Sequence, residues 1–291
     1  MPELPEVEVT RLRIAPRLVG RTVRRVYTTA PSYFFLTPPA RLRRALTGRR
    51  IDALERRGKY LTARLDDGRR LLLHLGMTGQ LFAADATSPR LLSAAARATL
   101  RPQAQVLFRP DAHTHVRFVF TDGGPEVLLR DVRKFGKVQL LGPDEPCARL
   151  DRLGRDALAI RGVELFAATR GRRVAIKSLL LDQSIVAGSG NIYTDEALFL
   201  AGVGPGRRAG RVTRAECAAL ATALRRVMRR SIETGGSSIR DFVGPDGVDG
   251  AYQDERCVYG RAGAPCRRCG TLIRRRVIGQ RSSCACPRCQ R

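Results

Sequence analysis

The spacing of the last cysteines limits most strongly what this chain can fold into. Two Cys-x-x-Cys pairs, Cys266/Cys269 and Cys286/Cys289, are separated by sixteen residues. This spacing is typical of a zinc ribbon, in which each pair forms a tight knuckle and a hairpin brings the four thiolates together tetrahedrally. Because four thiolates leave no open coordination position, we expect one structural rather than catalytic Zn2+ per chain. We also expect no organic cofactor.

The other cysteines fit this interpretation less directly. Cys284 can compete with Cys286 as a ligand, but the symmetric spacing favours Cys286. We expect Cys147, Cys217 and Cys257 to be buried or spare thiols.

The N-terminal residues are acidic and rich in proline, without the basic start and apolar stretch of a signal peptide. We therefore expect a cytoplasmic protein that does not enter a membrane and that uses its clustered cysteines for metal rather than disulfides.

The net charge of the chain indicates what kind of partner it binds. The 291 residues contain 53 Lys+Arg against 27 Asp+Glu, a formal net charge of +26. A bias towards arginine codons can explain why lysine is rare, but it does not explain the shortage of acids. A field of this sign attracts polyanions, so we expect a nucleic acid as the partner.

Hydrophobic periodicity predicts a β-rich first half after an early helix over 1–20. DDG at 66–68 and DGGP at 122–125 are typical of hairpin turns. A sandwich or barrel fits this pattern better than alternating βαβ units. Residues 83–112, rich in Ala, Arg and Pro, interrupt it and are interpreted as a surface insertion. The predicted strands are 22–27, 50–54, 61–65, 70–75, 116–121, 126–130 and 137–141.

The pattern changes to helical after a linker at 142–146. Helices are predicted over 163–169, 173–183, 193–201 and 214–233, the last with a Thr213/Glu216 capping box and a Gly235-Gly236 end. We therefore expect an α+β multidomain protein with three domains, over 1–145, 146–256 and 257–291.

Three further motifs each have a chemical and a plain structural interpretation. Removal of Met1 would leave Pro2 with a secondary amine, a group that can form an iminium with an aldehyde carbon, and Glu3 and Glu6 could move protons beside it. Without further evidence, the residues alone favour the plainer interpretation of Pro-Glu as an ordinary helix start. The small-residue loop at 186–193 can bind phosphate at a helix N-terminus or simply connect two helices. RRR at 274–276 can contact DNA, although most individual arginines there are expected to be solvated surface charges.

Together these pieces resemble one family, the bacterial formamidopyrimidine-DNA glycosylases with their relative endonuclease VIII. The resemblance runs in the family's order from residue 2 to residue 290 and includes the zinc unit. Its motifs are PELPEVE at 2–8, RGKY at 57–60, HLGMTG at 74–79, RDVRKFG at 130–136 and GNIY at 190–193. The resemblance implies an N-terminal β-sandwich flanked by helices, a helix–two-turns–helix domain and a C-terminal zinc finger.

The resemblance also implies roles for individual residues. Pro2 would attack C1′ of the damaged nucleotide, and Glu3 would protonate the sugar ring oxygen. Lys59, His74, Asn191 and Arg281 would hold the DNA backbone. Met77, Arg133 and Phe135 would fill the gap left by the everted nucleotide, with Arg133 facing the orphan cytosine.

The implied activity is that of a glycosylase and AP lyase acting as a monomer on damaged double-stranded DNA. Leu4 after Pro2-Glu3, and the stretch 235–242 with the loop to Tyr259, favour oxidised purines as substrates. Three alternatives stay open: the same chemistry on oxidised pyrimidines, a non-catalytic zinc-ribbon DNA-binding protein, and an N-terminal-proline enzyme for small carbonyl compounds. The 83–112 insertion and Cys284-Ala285 depart from the family's pattern.

Overall fold

A computed structural model describes residues 2–86, 109–239 and 242–291. The chain divides into two compact units, the first formed by Met1–Ala148 and Thr234–Ala251, the second by Arg149–Glu233 and Tyr252–Arg291. Thr234–Ala251 thus belongs by its contacts to the first unit, although it falls within the second of the three domains expected from sequence. Most of the predicted insertion at 83–112 lies outside the described residues.

Helix α1 (Leu4–Ile14) opens the first unit and is shorter than the predicted 1–20. Pro16 has no N–H to continue the helical ladder, so the chain goes on only as a 3-10 turn at Ala15–Arg17. Much of the helix is buried, and its apolar side chains pack into the sandwich core. This packing fixes the residues just ahead of the helix.

The rest of the first unit is a β-sandwich. Its strands are β1 (Val23–Thr28), β2 (Ile51–Arg57), β3 (Tyr60–Leu65), β4 (Arg70–His74), β5 (Gly79–Ala83), β6 (Thr114–Phe120), β7 (Val127–Asp131) and β8 (Lys137–Leu141). They form two antiparallel sheets, ordered β1-β6-β7-β5 and β2-β3-β4-β8. Buried side chains from both sheets and from α1 make a single core cluster, as expected for two sheets packed face to face.

Each predicted strand is present; 137–141 has the predicted ends, and the others are shifted at one or both ends. Two elements were missed: β5, and helix α2 (Pro39–Leu46). All five residues of β5 are buried, so this strand shows no polar alternation. Strand β7 is equally buried, but the DGGP turn before it indicated a hairpin, and β5 has no such turn motif beside it. Helix α2 carries three arginines among eight residues, and its apolar face is correspondingly short.

The second unit is mainly helical. Its helices are α3 (Ala148–Asp151, which begins at the boundary), α4 (Gly162–Thr169), α5 (Ile176–Leu181), α6 (Asn191–Ala201), α7 (Arg214–Glu233) and α8 (Tyr252–Glu255). Before α7, Thr213 Oγ1 accepts the Glu216 N–H at 3.2 Å and the Glu216 carboxylate accepts the Thr213 N–H at 2.8 Å, which confirms the predicted capping box. None of the described helices is both long and apolar enough to cross a membrane.

The second unit also contains a short parallel pair, β9 (Arg155–Asp156) and β10 (Val186–Ala187), and it ends in a hairpin of β11 (Arg274–Ile278) and β12 (Arg281–Ala285). Gly279 and Gln280 both have positive φ, 53° and 61°, as a two-residue type I′ turn requires. A small cluster of Phe199, Val258, Ile273 and cysteines is the core beneath this hairpin.

Candidate functional site

Pro2 and Glu3 lie buried immediately ahead of α1. The Glu6 carboxylate accepts the Glu3 N–H at 2.8 Å through Oε2 and the Ser237 N–H at 2.9 Å through Oε1. Glu6 is itself only 1% exposed. Both of its oxygens therefore hold backbone in place, a positioning role that differs from the proton transfer considered from sequence.

The Thr234–Ala251 segment is built tightly against this end of α1. A Cβ on Gly250 would lie 2.2 Å from the Gly236 carbonyl oxygen, and a Cβ on Gly236 would lie 2.9 Å from the Phe242 ring. Gly236 also has φ of 87°, a conformation that side chains disfavour. Only glycine allows the two arms of this segment to approach so closely beside Glu6.

Lys59 is half-buried in the two-residue turn that joins β2 to β3. Gly58, with φ of 58°, occupies the position at which a type II′ turn needs glycine. Arg56 donates to the Gly58 carbonyl at 3.0 Å and to Glu8 at 2.7 Å, so the turn is tied to α1. Burial would raise the pKa of Glu8, but hydrogen bonds from Arg11 and Arg56 outweigh it and lower that pKa.

His74 lies at the end of β4 with its ring 4.7 Å from the Tyr60 ring. Its Nδ1 accepts the Gly76 N–H at 3.1 Å. In the neutral imidazole the proton then sits on Nε2, which becomes a hydrogen-bond donor. A donor in this position suits an anionic ligand such as a phosphate.

Met77, Arg133 and Phe135 lie on two neighbouring loops of the first unit. Met77 is half-buried between β4 and β5, whereas Arg133 and Phe135 are exposed between β7 and β8. The Arg133 guanidinium lies 4.7 Å from the centre of the Phe135 ring. A Cβ on Gly76, beside Met77, would come within 2.5 Å of the Gly136 nitrogen. The structure therefore brings the two loops together.

A buried carboxylate organises these loops. Asp131, fully buried, accepts the Arg133 N–H at 3.2 Å, the Gly136 N–H at 2.7 Å and the Thr78 hydroxyl. It thus fixes both ends of the loop that carries Arg133 and ties it to the residue after Met77. Sequence reasoning gave Asp131 no role, since its partners come from two strand ends that only the sheet brings together.

In the second unit, Asn191 begins α6 and donates from Nδ2 to the Ser282 carbonyl at 3.0 Å. Lys177 donates to the same carbonyl at 2.8 Å and to Asp195 at 2.7 Å. Ser282 directly follows Arg281, the exposed first residue of β12. Asn191 and Arg281 are therefore held next to each other.

Two acids of α6 anchor the zinc unit. Besides Lys177, buried Asp195 accepts the Ser283 hydroxyl and the Cys284 N–H, each at 2.9 Å. Glu196, 1% exposed, accepts three successive N–H groups at 2.7–2.9 Å, those of residues 257–259. These roles were missed as well. An Asp-Glu pair inside an otherwise apolar helix is the available signal, because buried acids need partners.

The four predicted zinc ligands converge. The Sγ atoms of Cys266, Cys269, Cys286 and Cys289 all lie within 4.8 Å of one another. Four thiolates about 2.3 Å from a tetrahedral zinc would be separated by roughly 3.8 Å, so this set fits one Zn2+. The Cys284 backbone is engaged by Asp195, and its thiol is outside the cluster. This geometry favours Cys286 over Cys284 as the fourth ligand.

Family comparisons match this arrangement along most of the chain. Residues 1–138 match the formamidopyrimidine-DNA glycosylase N-terminal domain, 153–243 match the formamidopyrimidine-DNA glycosylase H2TH domain, and 263–291 match the zinc finger found in FPG and IleRS. A β-sandwich that begins with a buried Pro-Glu and is followed by these two modules defines a zinc-finger DNA glycosylase of the helix–two-turns–helix class.

Comparison with individual proteins identifies the family within this class. The chain is 42% identical to the formamidopyrimidine-DNA glycosylase of Magnetococcus marinus and 43% identical to that of Paraburkholderia phymatum, with 100% of each chain covered. This chain belongs to the formamidopyrimidine-DNA glycosylase family.

Solved structures agree with this assignment. A mutant of the Lactococcus lactis FPG, in complex with a Fapy-dG containing DNA, has a TM-score of 0.85 at 32% identity over 100% of both chains. The MutM (FPG) protein of Thermus thermophilus has a TM-score of 0.82 at 35% identity, covering 99% of this chain and 98% of that one. Wild-type Lactococcus lactis Fpg with an oxidised pyrimidine containing DNA has a TM-score of 0.84 at 32% identity over 100% of both. The predicted fold class is confirmed.

Proposed function

We propose that this protein is a DNA glycosylase and AP lyase of base excision repair that removes oxidised purines, 8-oxoguanine and formamidopyrimidines, from double-stranded DNA. The observation that carries the proposal is the placement of Pro2 and Glu3, buried at the start of α1 and fixed there through Glu6. The same unit presents Lys59, His74 and the loops of Met77, Arg133 and Phe135.

The reaction begins once removal of Met1 frees the Pro2 nitrogen. This amine attacks C1′ and the bond from C1′ to the base breaks; the nitrogen loses its proton and the base takes up a proton. Glu3 then gives a proton to the ring oxygen, the bond between C1′ and that oxygen breaks, and an iminium joins Pro2 to C1′. The iminium draws electrons, so a C2′ proton is lost and the 3′ phosphate leaves. A second elimination releases the 5′ phosphate, and hydrolysis frees Pro2.

The other proposed contacts serve to hold distorted DNA. Chemistry at C1′ requires the nucleotide to leave the base stack, and apolar or planar side chains such as Met77 and Phe135 can fill the gap. Arg133 supplies the donors that the orphan cytosine edge can accept. Lys59, His74, Asn191 and Arg281 carry donors for phosphate oxygens. The four cysteines hold a zinc ion that stabilises the hairpin bearing Arg281.

Borohydride trapping on a duplex with 8-oxoguanine opposite cytosine tests the proposal. We expect a covalent adduct with the wild-type protein and none with Pro2→Gly. Pro5→Ala is the matched control, since it changes another proline of the same segment and should still be trapped. Mass spectrometry establishes whether Met1 is removed. A processed N-terminus without an adduct would leave a non-catalytic DNA-binding protein.

Oxidised pyrimidines are the second candidate substrate. One observation favours them: the Lactococcus lactis relative was solved with DNA of that kind. Excision rates on 8-oxoguanine:C and thymine-glycol duplexes separate the two. We expect the purine lesion to be removed faster. We also expect the protein to act as a monomer, and light scattering can measure the mass of its complex with DNA.

A further inference from the structure

A groove of about 550 Å3 runs beside the hairpin of the zinc unit, between β11 and the loop at 204–207. Its lining includes four arginines, Arg207, Arg274, Arg276 and Arg291. Pro205 and Ile278 contribute apolar surface, and no Asp or Glu lines it among the residues that the structure describes. The groove is therefore cationic with apolar walls, and all of it belongs to the second unit.

The charge of this groove is only partly neutralised. Arg207 is paired with Glu216 at 2.6 Å, but Arg274 and Arg276 are exposed and have no acidic partner within the described part of the chain. Residues 257–291 contain nine arginines and neither Asp nor Glu. The two guanidinium groups are thus available to an anionic ligand.

Strand geometry divides the three consecutive arginines between two faces. Side chains alternate along a β-strand, so Arg274 and Arg276 point one way and Arg275 the other. Arg274 pairs with Ala285 and Arg276 with Ser283, and both partners also line the groove. Arg275 pairs with Cys284, which does not line it. Arg275 thus has the same charge and strand but the opposite face.

We propose that this groove is an additional phosphate-binding surface, through which Arg274 and Arg276 hold the sugar–phosphate backbone of one DNA strand. The inference rests on the proposed function for its ligand. Guanidinium groups bind phosphate oxygens in pairs of hydrogen bonds, and the apolar walls suit sugar rings. The groove follows the same hairpin to Arg281, whose Cα pairs with Ile278, so one strand can contact both.

An acidic protein segment would satisfy the same charges. Continuity with the hairpin that carries Arg281 favours DNA. The two ligands predict different effects of salt on DNA binding. Each phosphate contact releases counterions, which steepens the dependence of log Kd on log salt by about 0.9.

The test compares Arg274→Gln, Arg276→Gln and Arg275→Gln, which remove the same charge. Each full-length variant is titrated with a duplex that contains a tetrahydrofuran abasic analogue, which has no aldehyde carbon to react, at several salt concentrations. We expect Arg274→Gln and Arg276→Gln each to reduce the salt slope by about 0.9 and to weaken binding, while Arg275→Gln changes the slope much less.

Other outcomes overturn the inference. An equal reduction in all three variants would mean that only overall charge matters. Unchanged slopes for Arg274→Gln and Arg276→Gln, with weakened binding of a polyglutamate probe, would assign the groove to an acidic protein segment. Borohydride trapping of the wild-type protein is run in parallel, and a missing adduct there would contradict the proposed function without bearing on the salt slopes.

Discussion

The loops of the β-sandwich and the zinc hairpin both position exposed side chains through buried carboxylates, but the hydrophobic cores beneath them differ greatly in size. In both, buried carboxylates accept backbone N–H groups: Glu6 and Asp131 in the first unit, Asp195 and Glu196 in the second. The sandwich loops rest on a large core drawn from both sheets. The hairpin rests on a small cluster, much of which is cysteine.

This difference teaches where each region gets its stability. Burial of apolar area stabilises the sandwich. The zinc unit has few apolar side chains, and their burial cannot offset the chain entropy that this unit loses on folding. Small units of this kind depend on a metal. We therefore expect the two regions to respond differently to the same perturbations.

Zinc removal should separate the two regions most clearly. Zinc binding is worth about 10–16 kcal/mol in zinc-finger peptides, so chelation should unfold 257–291 and abolish tight DNA binding. The sandwich should keep its protection, as followed by hydrogen exchange. Cys286→Ser should lower the zinc content, while Cys284→Ser, the matched control, should retain one zinc per chain. Equal loss of protection in both regions would contradict the comparison.

Breaking the buried ion pair of the second unit should have the next largest effect. Asp195→Ala leaves the Lys177 ammonium buried without its carboxylate, a change that costs about 3–5 kcal/mol. Denaturant unfolding measures this loss, and DNA affinity should fall because β12 and Arg281 are released. The double variant Lys177→Met/Asp195→Leu should regain stability. If it is as unstable as Asp195→Ala, the unpaired charge is not the cause.

Asp131→Asn tests the corresponding carboxylate of the first unit. The amide has one acceptor oxygen for the donors that two carboxylate oxygens now serve, so we expect a loss of about 1–3 kcal/mol. Lesion excision should slow as the loops of Met77 and Arg133 loosen. Asp122→Asn is the control, since Arg21 hydrogen bonds at that exposed hairpin lower the pKa of Asp122 to about 2 without fixing either loop. Equal slowing in both variants would remove the special role of Asp131.

The smallest effect is expected at Glu8, and it depends on pH. Its pKa is lowered in the folded protein, so its ion pairs with Arg11 and Arg56 stabilise the fold above the unfolded value of about 4.3. That contribution is lost as the pH falls through the lowered pKa. The Tm advantage of the wild type over Glu8→Gln should therefore be full near pH 6 and shrink below about pH 4. An advantage that does not change with pH would exclude the ionised Glu8 as its source.

The sequence by itself determined the features that depend on neighbours along the chain. The Cys-x-x-Cys spacing predicted the four ligands, the turn residues predicted the hairpins, and Thr213 with Glu216 predicted the start of α7. Most strand predictions were confirmed for the same reason, because period-two alternation reports one buried face. Where both faces were buried and no turn motif stood beside the strand, as in β5, the signal disappeared; the DGGP turn marked the equally buried β7.

Only the tertiary structure decided which acids hold the candidate site residues of each unit in place. Glu6 meets Ser237 across 231 positions, Asp131 meets Thr78 across 53, and Asp195 meets Cys284 across 89. It also gave Arg274 and Arg276 a different face from Arg275. The sequence does not show which distant N–H groups will donate hydrogen bonds to a given carboxylate. The buried ones had to find partners, and the packing of sheets and helices determined which partners were within reach.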